Sequence, residues 1–145
     1  MQVEVRDTPF EPYAEIQAYQ DKIQIAGKFG ATAVFIGTMR DINEGDEVKS
    51  MMLEHYPGMT ENYLDSLSQQ ATQKWSLLDS LIIHRVGEVK PNEPIVLVAV
   101  WSAHRKDAFE ASRFLMEELK SKAPFWKKEF LEHGDRWVQK NTPGR

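Results

Sequence analysis

The sequence contains no cysteine among its 145 residues. It can therefore form neither a disulfide nor a thiolate nucleophile, and it cannot offer cysteine ligands to zinc or an iron–sulfur cluster. Long hydrophobic runs are also missing. The longest strongly apolar stretch runs from Ile95 to Trp101, far short of the roughly 20 residues that span a bilayer. The first residues, MQVEVRDTPF, lack the pattern of a signal peptide. We therefore expect a cytoplasmic protein without a membrane segment.

Patterns that mark common cofactor sites are absent as well. The chain has no GxSxG motif, no Walker motif and no dinucleotide-binding glycine pattern. Its histidines, His55, His84, His104 and His133, do not stand at the HxxH or HxxxH spacing of a metal site. We therefore expect the protein to use no metal ion and no other cofactor.

Acidic residues outnumber basic ones, 22 to 18, but positive charge is concentrated in one place. The formal charge is -4 at pH 7, yet the stretch KSKAPFWKKE, residues 120–129, holds four lysines in its first nine positions. Lysines in the last turn of a helix commonly complement the helix dipole, which accounts for part of this excess. The remainder indicates a local anion site. The acidity of the whole chain argues against a general nucleic-acid-binding protein.

Apolar periodicity predicts an α+β domain over residues 1–145, with three helices against a mainly antiparallel sheet. Thr60 and Ser102 are the expected N-caps of the second and third helices. A tight turn over residues 90–94 predicts that its flanking strands pair antiparallel. The predicted helices cover residues 11–19, 61–75 and 103–122; the predicted strands cover 3–5, 31–39, 48–56, 81–89, 95–101, 125–130 and 136–138, with a loop over 40–47.

The predicted strand at residues 125–130 carries large apolar side chains on both of its faces. Alternation along a strand places residues two apart on the same side. We expect Trp126 and Phe130 to face the core. Phe125, Lys127 and Glu129 would then form a row of ring, cation and carboxylate on the opposite face.

Pro124 separates the third helix from this strand. Proline disfavours helical geometry at the residue before it, so the helix is expected to end there and the chain to bend. The bend predicts that Lys120 and Lys127 converge. Two ammonium groups beside an aromatic ring suit a flat, anionic ligand.

The segment SAHR, residues 102–105, opens the third predicted helix. A helix start offers free N–H groups to anions, and the side chains of His104 and Arg105 add donors that suit phosphate. A solvated His–Arg pair fits the same pattern. His104 and Lys120 are separated by about 24 Å along the helix, so a small ligand reaches both only across a symmetric dimer or through two sub-sites.

Five segments taken in order resemble the large, catalytic subunit of molybdopterin synthase, over roughly residues 30–138. They are LEHYPGMT (53–60), HRVGEV (84–89), SAHR (102–105), KSKAPFWKKE (120–129) and GDRWV (134–138). Gly37 and Arg40 match a further family motif at the end of a strand, whereas Met39 stands where that motif usually has valine. The resemblance implies an α/β-hammerhead fold.

The resemblance also implies a sulfurtransferase of molybdenum cofactor biosynthesis. The implied substrate is cyclic pyranopterin monophosphate, precursor Z, which receives two sulfur atoms and becomes the dithiolene of molybdopterin. The implied donor is the C-terminal Gly-Gly thiocarboxylate of a small ubiquitin-like sulfur-carrier subunit. One carrier docks at each end of a homodimer of large subunits, giving a heterotetramer. No metal or redox cofactor is needed, because the carrier delivers the sulfur.

Site residues follow from the resemblance by position. Lys120 and Lys127 match the family's catalytic lysines, and we expect Lys120 to lie nearest the carrier's C-terminus. Physical reasoning agrees, because cations are needed to hold two anionic reactants together. A partly buried lysine beside another ammonium group should also have a lowered pKa. The expected substrate-binding residues are Thr38, Met39, Arg40, His104, Arg105, Lys120, Lys127, Lys128 and Glu129.

Two other functions remain open on the sequence alone. Lysines interleaved with Phe125 and Trp126 are typical of a module that stacks on single-stranded nucleic acid or binds another anionic ligand. The net acidity and the shortness of the basic stretch weigh against nucleic acid. A non-catalytic scaffold for a ubiquitin-like tail is the second alternative, and the presence of Lys120 and Lys127 argues against it.

Overall fold

The computed structural model describes residues 1–138. In this range the predicted α+β class, with three helices and mostly antiparallel strand pairing, is confirmed. None of these helices is long and apolar enough to cross a membrane. The elements are β1 (Gln2–Arg6), α1 (Pro12–Lys22), β2 (Ala31–Thr38), β3 (Ile42–Asn43), β4 (Asp46–His55), α2 (Met59–Trp75), β5 (Asp79–Arg85), β6 (Gly87–Val89), β7 (Pro94–Ser102), α3 (Arg105–Lys122), β8 (Phe125–Leu131) and β9 (Gly134–Val138).

The first sheet has the strand order β1-β5-β7-β2. Strands β5 and β7 pair antiparallel, which confirms the predicted pairing. The connection between them is longer than the predicted tight turn, because it includes β6. β1 pairs parallel with β5, and β2 pairs antiparallel with β7. The two central strands are buried along most of their length because both of their faces are covered. One face packs against α2 and α3, and the other contacts Phe10 and Tyr19 in the α1 region.

Helix α3 forms one side of the core with the apolar stripe that the sequence predicts. Ala108, Ala111, Leu115 and Leu119 are buried and pack with α2 and the first sheet. Burying one such leucine contributes about 2 kcal/mol. The stripe therefore fixes the rotation of the helix, and with it the direction in which the last turn presents its lysines.

The second sheet has the order β3-β4-β8-β9, with β6 paired to β4. Predicting one strand over residues 81–89 is therefore wrong, because the chain changes sheets at Gly87, whose φ is +85°. Glycine adopts this conformation without the penalty of a Cβ atom. The predicted loop over 40–47 is also partly wrong, since Ile42 and Asn43 pair with the start of β4.

Both predicted helix caps are wrong. Helix α2 has Gly58 as its N-cap, and α3 has His104. Ser102 is the last residue of β7, and its Oγ accepts a bond of 3.3 Å from the backbone N–H of His104. Thr60 lies inside the first turn of α2, where its hydroxyl bonds the backbone of Tyr56 and of the distant Pro124 instead of capping the helix.

Candidate functional site

A cavity of about 530 Å³ opens where the end of α3 meets both sheets. This volume is in the range of pockets that hold small molecules. Its walls come from β2, β4, β5, β7, α3, β8 and β9, so the cavity depends on the completed fold. Its polar and aromatic lining includes Thr38, His84, Lys120, Phe125 and Lys127.

The structure brings the two predicted catalytic lysines to this one cavity. Lys120 lies in the last turn of α3, and Lys127 is the third residue of β8. Between them Ala123 leaves the helix with φ -66° and ψ 141°, the extended geometry expected before Pro124. The bend therefore turns the chain so that two cations seven positions apart face one space.

A buried hydroxyl group holds the bend in place. The Oγ1 of Thr60 donates a hydrogen bond of 3.0 Å to the carbonyl oxygen of Pro124 and accepts one of 3.1 Å from the backbone N–H of Tyr56. Thr60 has no exposed surface. Because a buried donor or acceptor left without a partner costs free energy, these two bonds constrain the α3–β8 connection firmly.

The environment of the cavity changes the protonation of Lys127. Burial lowers the pKa of its ammonium group below the ordinary value, and the positive charges of Lys120 and Arg40 lower it further. The carboxylate of Glu129 opposes these effects. A lysine with a lowered pKa releases its proton more readily than an exposed lysine, as a group that transfers protons during a reaction must.

His84 is a cavity residue that our site prediction omitted. Its ring stacks on Phe125, with centroids 3.8 Å apart and planes inclined by 16°. Burial lowers the pKa of the imidazole to about 4, so it is neutral at pH 7. The available signal was a histidine directly after the apolar residues Leu81, Ile82 and Ile83 of β5, at a buried position that would normally be apolar.

The predicted orientation of β8 is wrong. Trp126 is 44% exposed, whereas the opposite row of side chains faces inwards and Glu129 is 4% exposed. The reason is that the inner face of β8 contacts the first sheet, where Phe125 packs on His84. The row that contains Lys127 is consequently the inner row.

Glu129 is the last member of this inner row, and its contacts are structural. Its carboxylate accepts hydrogen bonds from Asn43 at 2.8 Å and from the Nε of Arg136 at 3.0 Å. Arg136 also contacts Asp46 at 2.8 Å. Glu129 is not among the residues that line the cavity. Both of its carboxylate oxygens thus hold β3 and β9 against β8, and its predicted substrate contact stays a prediction.

Lys128 is not among the residues that line the cavity. Its ammonium group lies 3.3 Å from the carboxylate of Asp135 and 5.4 Å from the ring centre of Trp137. Asp135 also lies outside the lining, whereas Trp137 belongs to it. The predicted role of Lys128 in substrate binding also stays a prediction.

The three consecutive residues at the end of β2, 38–40, lie in three different environments. Thr38 is exposed and lines the cavity. Met39 is 4% exposed, packs in the apolar cluster under the second sheet, and bonds through its backbone to Glu93 and Asn92. Arg40 is exposed, and its charge reaches Lys127. The predicted substrate contact therefore fits Thr38 and Arg40 better than the core residue Met39.

His104 and Arg105 are exposed at the opposite end of α3. Neither residue lines the cavity. Their distance along the helix from Lys120, about 24 Å, is too great for one small ligand within a single chain. In residues 1–138, moreover, no group of three or more acidic or histidine side chains is placed to hold a metal ion.

Comparison with known proteins adds independent information. The sequence profile described as MoaE protein matches residues 6–122. The chain is 52% identical over 138 residues to the molybdopterin synthase catalytic subunit of Ralstonia nicotianae, covering 94% of this chain and 76% of that protein.

Two solved structures have the same fold. Molybdopterin synthase from Staphylococcus aureus superposes with a TM-score of 0.83 at 32% identity, covering 93% of this chain and 95% of the other. The complex of subunits 1 and 2 of molybdopterin-converting factor from Helicobacter pylori gives a TM-score of 0.80, covering 97% and 92%. That chain is only 19% identical, so the likeness concerns the fold alone.

Proposed function

This chain belongs to the MoaE protein family, and we propose that it is the catalytic subunit of a molybdopterin synthase. It converts cyclic pyranopterin monophosphate to molybdopterin, taking sulfur from the C-terminal thiocarboxylate of a small ubiquitin-like carrier. The resemblance inferred from the five sequence segments is confirmed at the level of the family. The proposed location of the reaction is the cytoplasm, in keeping with a role in bacterial cofactor synthesis.

The observation that carries the proposal is the pair of lysines from two elements in one cavity beside an aromatic ring. Substrate phosphate and carrier thiocarboxylate are both anionic, and two cations offset their mutual repulsion. The same cations stabilise the negative charge that develops on the tetrahedral adduct and on the opening phosphate ester. Lys127, with its lowered pKa, is the better candidate for proton transfer.

An open cleft beside the cavity offers a route for the carrier's tail. Its volume is about 330 Å³, and it is lined by Glu54, His55, Tyr56, Trp126 and Trp137. The two tryptophans also line the cavity, so the cleft and the cavity adjoin. A Gly-Gly terminus has no side chains and fits a narrow passage between rings. We propose that one carrier docks at this cleft on each subunit of a homodimer, giving a heterotetramer.

Reconstitution tests this function directly. The protein is mixed with cyclic pyranopterin monophosphate and a thiocarboxylated carrier, and the pterin product is identified by mass spectrometry. We expect a product that has gained two sulfur atoms, and none with a carrier that ends in an ordinary carboxylate. Carrier binding without any sulfur transfer would instead identify a non-catalytic scaffold.

Replacing His104 or Arg105 with alanine is expected to weaken binding of the pterin substrate by roughly tenfold or more. Each side chain is proposed to contact the phosphate across the dimer, and a charge-assisted bond of this kind contributes about 1.5–3 kcal/mol. Titration calorimetry with the substrate measures the change. The neighbouring exposed residue Lys106 provides the control, since Lys106→Ala should bind as the parent does. Parent-like affinity in both test variants would contradict the phosphate contact.

Subunit mixing separates a shared site from a site within one chain. Lys127→Ala and Arg105→Ala subunits are each assayed alone and after random exchange, at low substrate concentration. If the site is shared, a mixed dimer regains one intact site, and about a quarter of the parent activity should return. If each site lies within one chain, mixing restores nothing.

A further inference from the structure

His84 presents one of its two ring nitrogens to the cavity without a bonding partner. The side chain is 5% exposed and lines the cavity wall. Its Nδ1 lies 2.8 Å from the carbonyl oxygen of Arg85. In residues 1–138 the structure shows no hydrogen bond at Nε2. Nε2 is not among the fully buried side-chain atoms that lack a partner in this range, so the atom is accessible from the cavity and can accept a hydrogen bond from a ligand there.

The bond at Nδ1 fixes which nitrogen carries the proton. A carbonyl oxygen only accepts, so Nδ1 must donate to Arg85. Burial lowers the pKa of the ring to about 4, with smaller contributions from the charges of His55, Lys127 and Lys120. The neutral ring therefore holds its single proton on Nδ1, and Nε2 keeps a free lone pair. Stacking on Phe125 holds the plane of the ring in this orientation.

Acceptors are rare among the side chains of this cavity. Lys120 and Lys127 in their charged form donate only, and so do the indole groups of the two tryptophans. The strong side-chain acceptors in the lining are Nε2 of His84 and the hydroxyl of Thr38. A pterin has N–H groups as well as acceptor atoms. The lysines satisfy anionic and acceptor positions of such a ligand, but they leave its N–H groups without partners.

We propose that Nε2 of His84 accepts a hydrogen bond from a ring N–H or amino group of the heterocyclic substrate. His84 is then a specificity-determining residue that binds the neutral heterocycle, while the lysines bind the anionic groups. The inference rests on the proposed function, because that function supplies the pterin. A heterocycle without a donor at this position would leave Nε2 unpaired and would bind less tightly.

Two substitutions at position 84 distinguish the roles of the two ring nitrogens. His84→Asn keeps an N–H donor near the place of Nδ1 but has no atom at the place of Nε2. His84→Gln carries its amide oxygen out to the place of Nε2. Calorimetric titration with cyclic pyranopterin monophosphate should give a Kd raised tenfold to a hundredfold in His84→Asn. We expect a Kd within about threefold of the parent in His84→Gln, and unchanged carrier affinity in both variants.

Nitrogen NMR of the parent gives a second measurement that needs no substitution. The Nε2 resonance of His84 should have the shift of an unprotonated ring nitrogen and move towards the hydrogen-bonded value when the pterin saturates the cavity. An unmoved resonance, or a His84→Asn protein that binds pterin as tightly as the parent, overturns the inference alone. A parent that binds no pterin overturns the proposed function as well. If His84→Asn does not fold, the Nε2 resonance of the parent protein alone tests the inference.

Discussion

Replacing Lys127 with alanine is expected to reduce sulfur transfer to the pterin by about a thousandfold. The ammonium group is partly buried, lines the cavity and has a lowered pKa. Its loss removes both a cation that stabilises developing negative charge and a group able to move a proton. Lys120→Ala should cause a loss of similar size, because the pair acts on the same two anions. Single-turnover assays with thiocarboxylated carrier measure both effects.

The chain offers a matched control in the same basic stretch. Lys122 has the same side chain but is exposed, pairs with Glu118 at 2.9 Å and does not line the cavity, so Lys122→Ala should keep most of the activity. Lys127→Arg separates the two roles, since a guanidinium keeps the charge but does not release a proton. Arginine should leave substrate binding largely intact while turnover falls. Near-normal turnover in Lys127→Ala would exclude a catalytic role for this residue.

Replacing Gly30 with alanine is expected to lower the free energy of unfolding by about 2–3 kcal/mol. A Cβ atom at Gly30 would lie 2.4 Å from the carbonyl oxygen of Ala103, closer than non-bonded atoms approach. The obstacle is backbone, so a side-chain rotation cannot relieve it. The backbone N–H of Gly30 also donates to the carbonyl of Ser102 at 3.0 Å. Chemical denaturation measures the loss.

The same substitution should also affect function, because the displaced backbone leads directly into helix α3 and its first residues, His104 and Arg105. Weaker substrate binding should therefore accompany the lower stability. Thr32→Ala, at an exposed position of β2 two residues further along the chain, provides the comparison and should change stability by less than about 0.5 kcal/mol. If Gly30→Ala unfolds at the parent's denaturant concentration, the close approach to Ala103 does not constrain the fold.

The elements that the sequence predicted well are those with one strong, local signal. Helix α3 has a single apolar stripe, and β5 and β7 are buried strands close to each other in the chain, so their type and pairing follow from nearby residues. Strand β8 is different, because large side chains occupy both of its faces. Only contact with His84, which is distant in sequence, decides that Phe125 and not Trp126 packs inwards.

The residues of the candidate site follow the same rule: those with a local signal could be predicted, and those that depend on distant contacts could not. Lys120 and Lys127 are adjacent to a proline that marks the bend, so their convergence has a local cause. The residues around Thr60 predict that it caps a helix, but its hydroxyl donates to the carbonyl oxygen of Pro124 instead. The role of His84 depends on a cavity built from both sheets, and no spacing of residues in the sequence shows that cavity.

The bond between Thr60 and Pro124 has a consequence for the order in which the protein matures. It joins residues 64 positions apart, and contacts of that range close slowly during folding. The lysine pair is therefore expected to reach its working geometry only after α2, α3 and β8 have come together. A ribosome-bound chain that has not yet emerged beyond Pro124 holds most of both helices but no competent site. Recovery of activity during refolding should accordingly not precede the packing of α2 and α3 against β8.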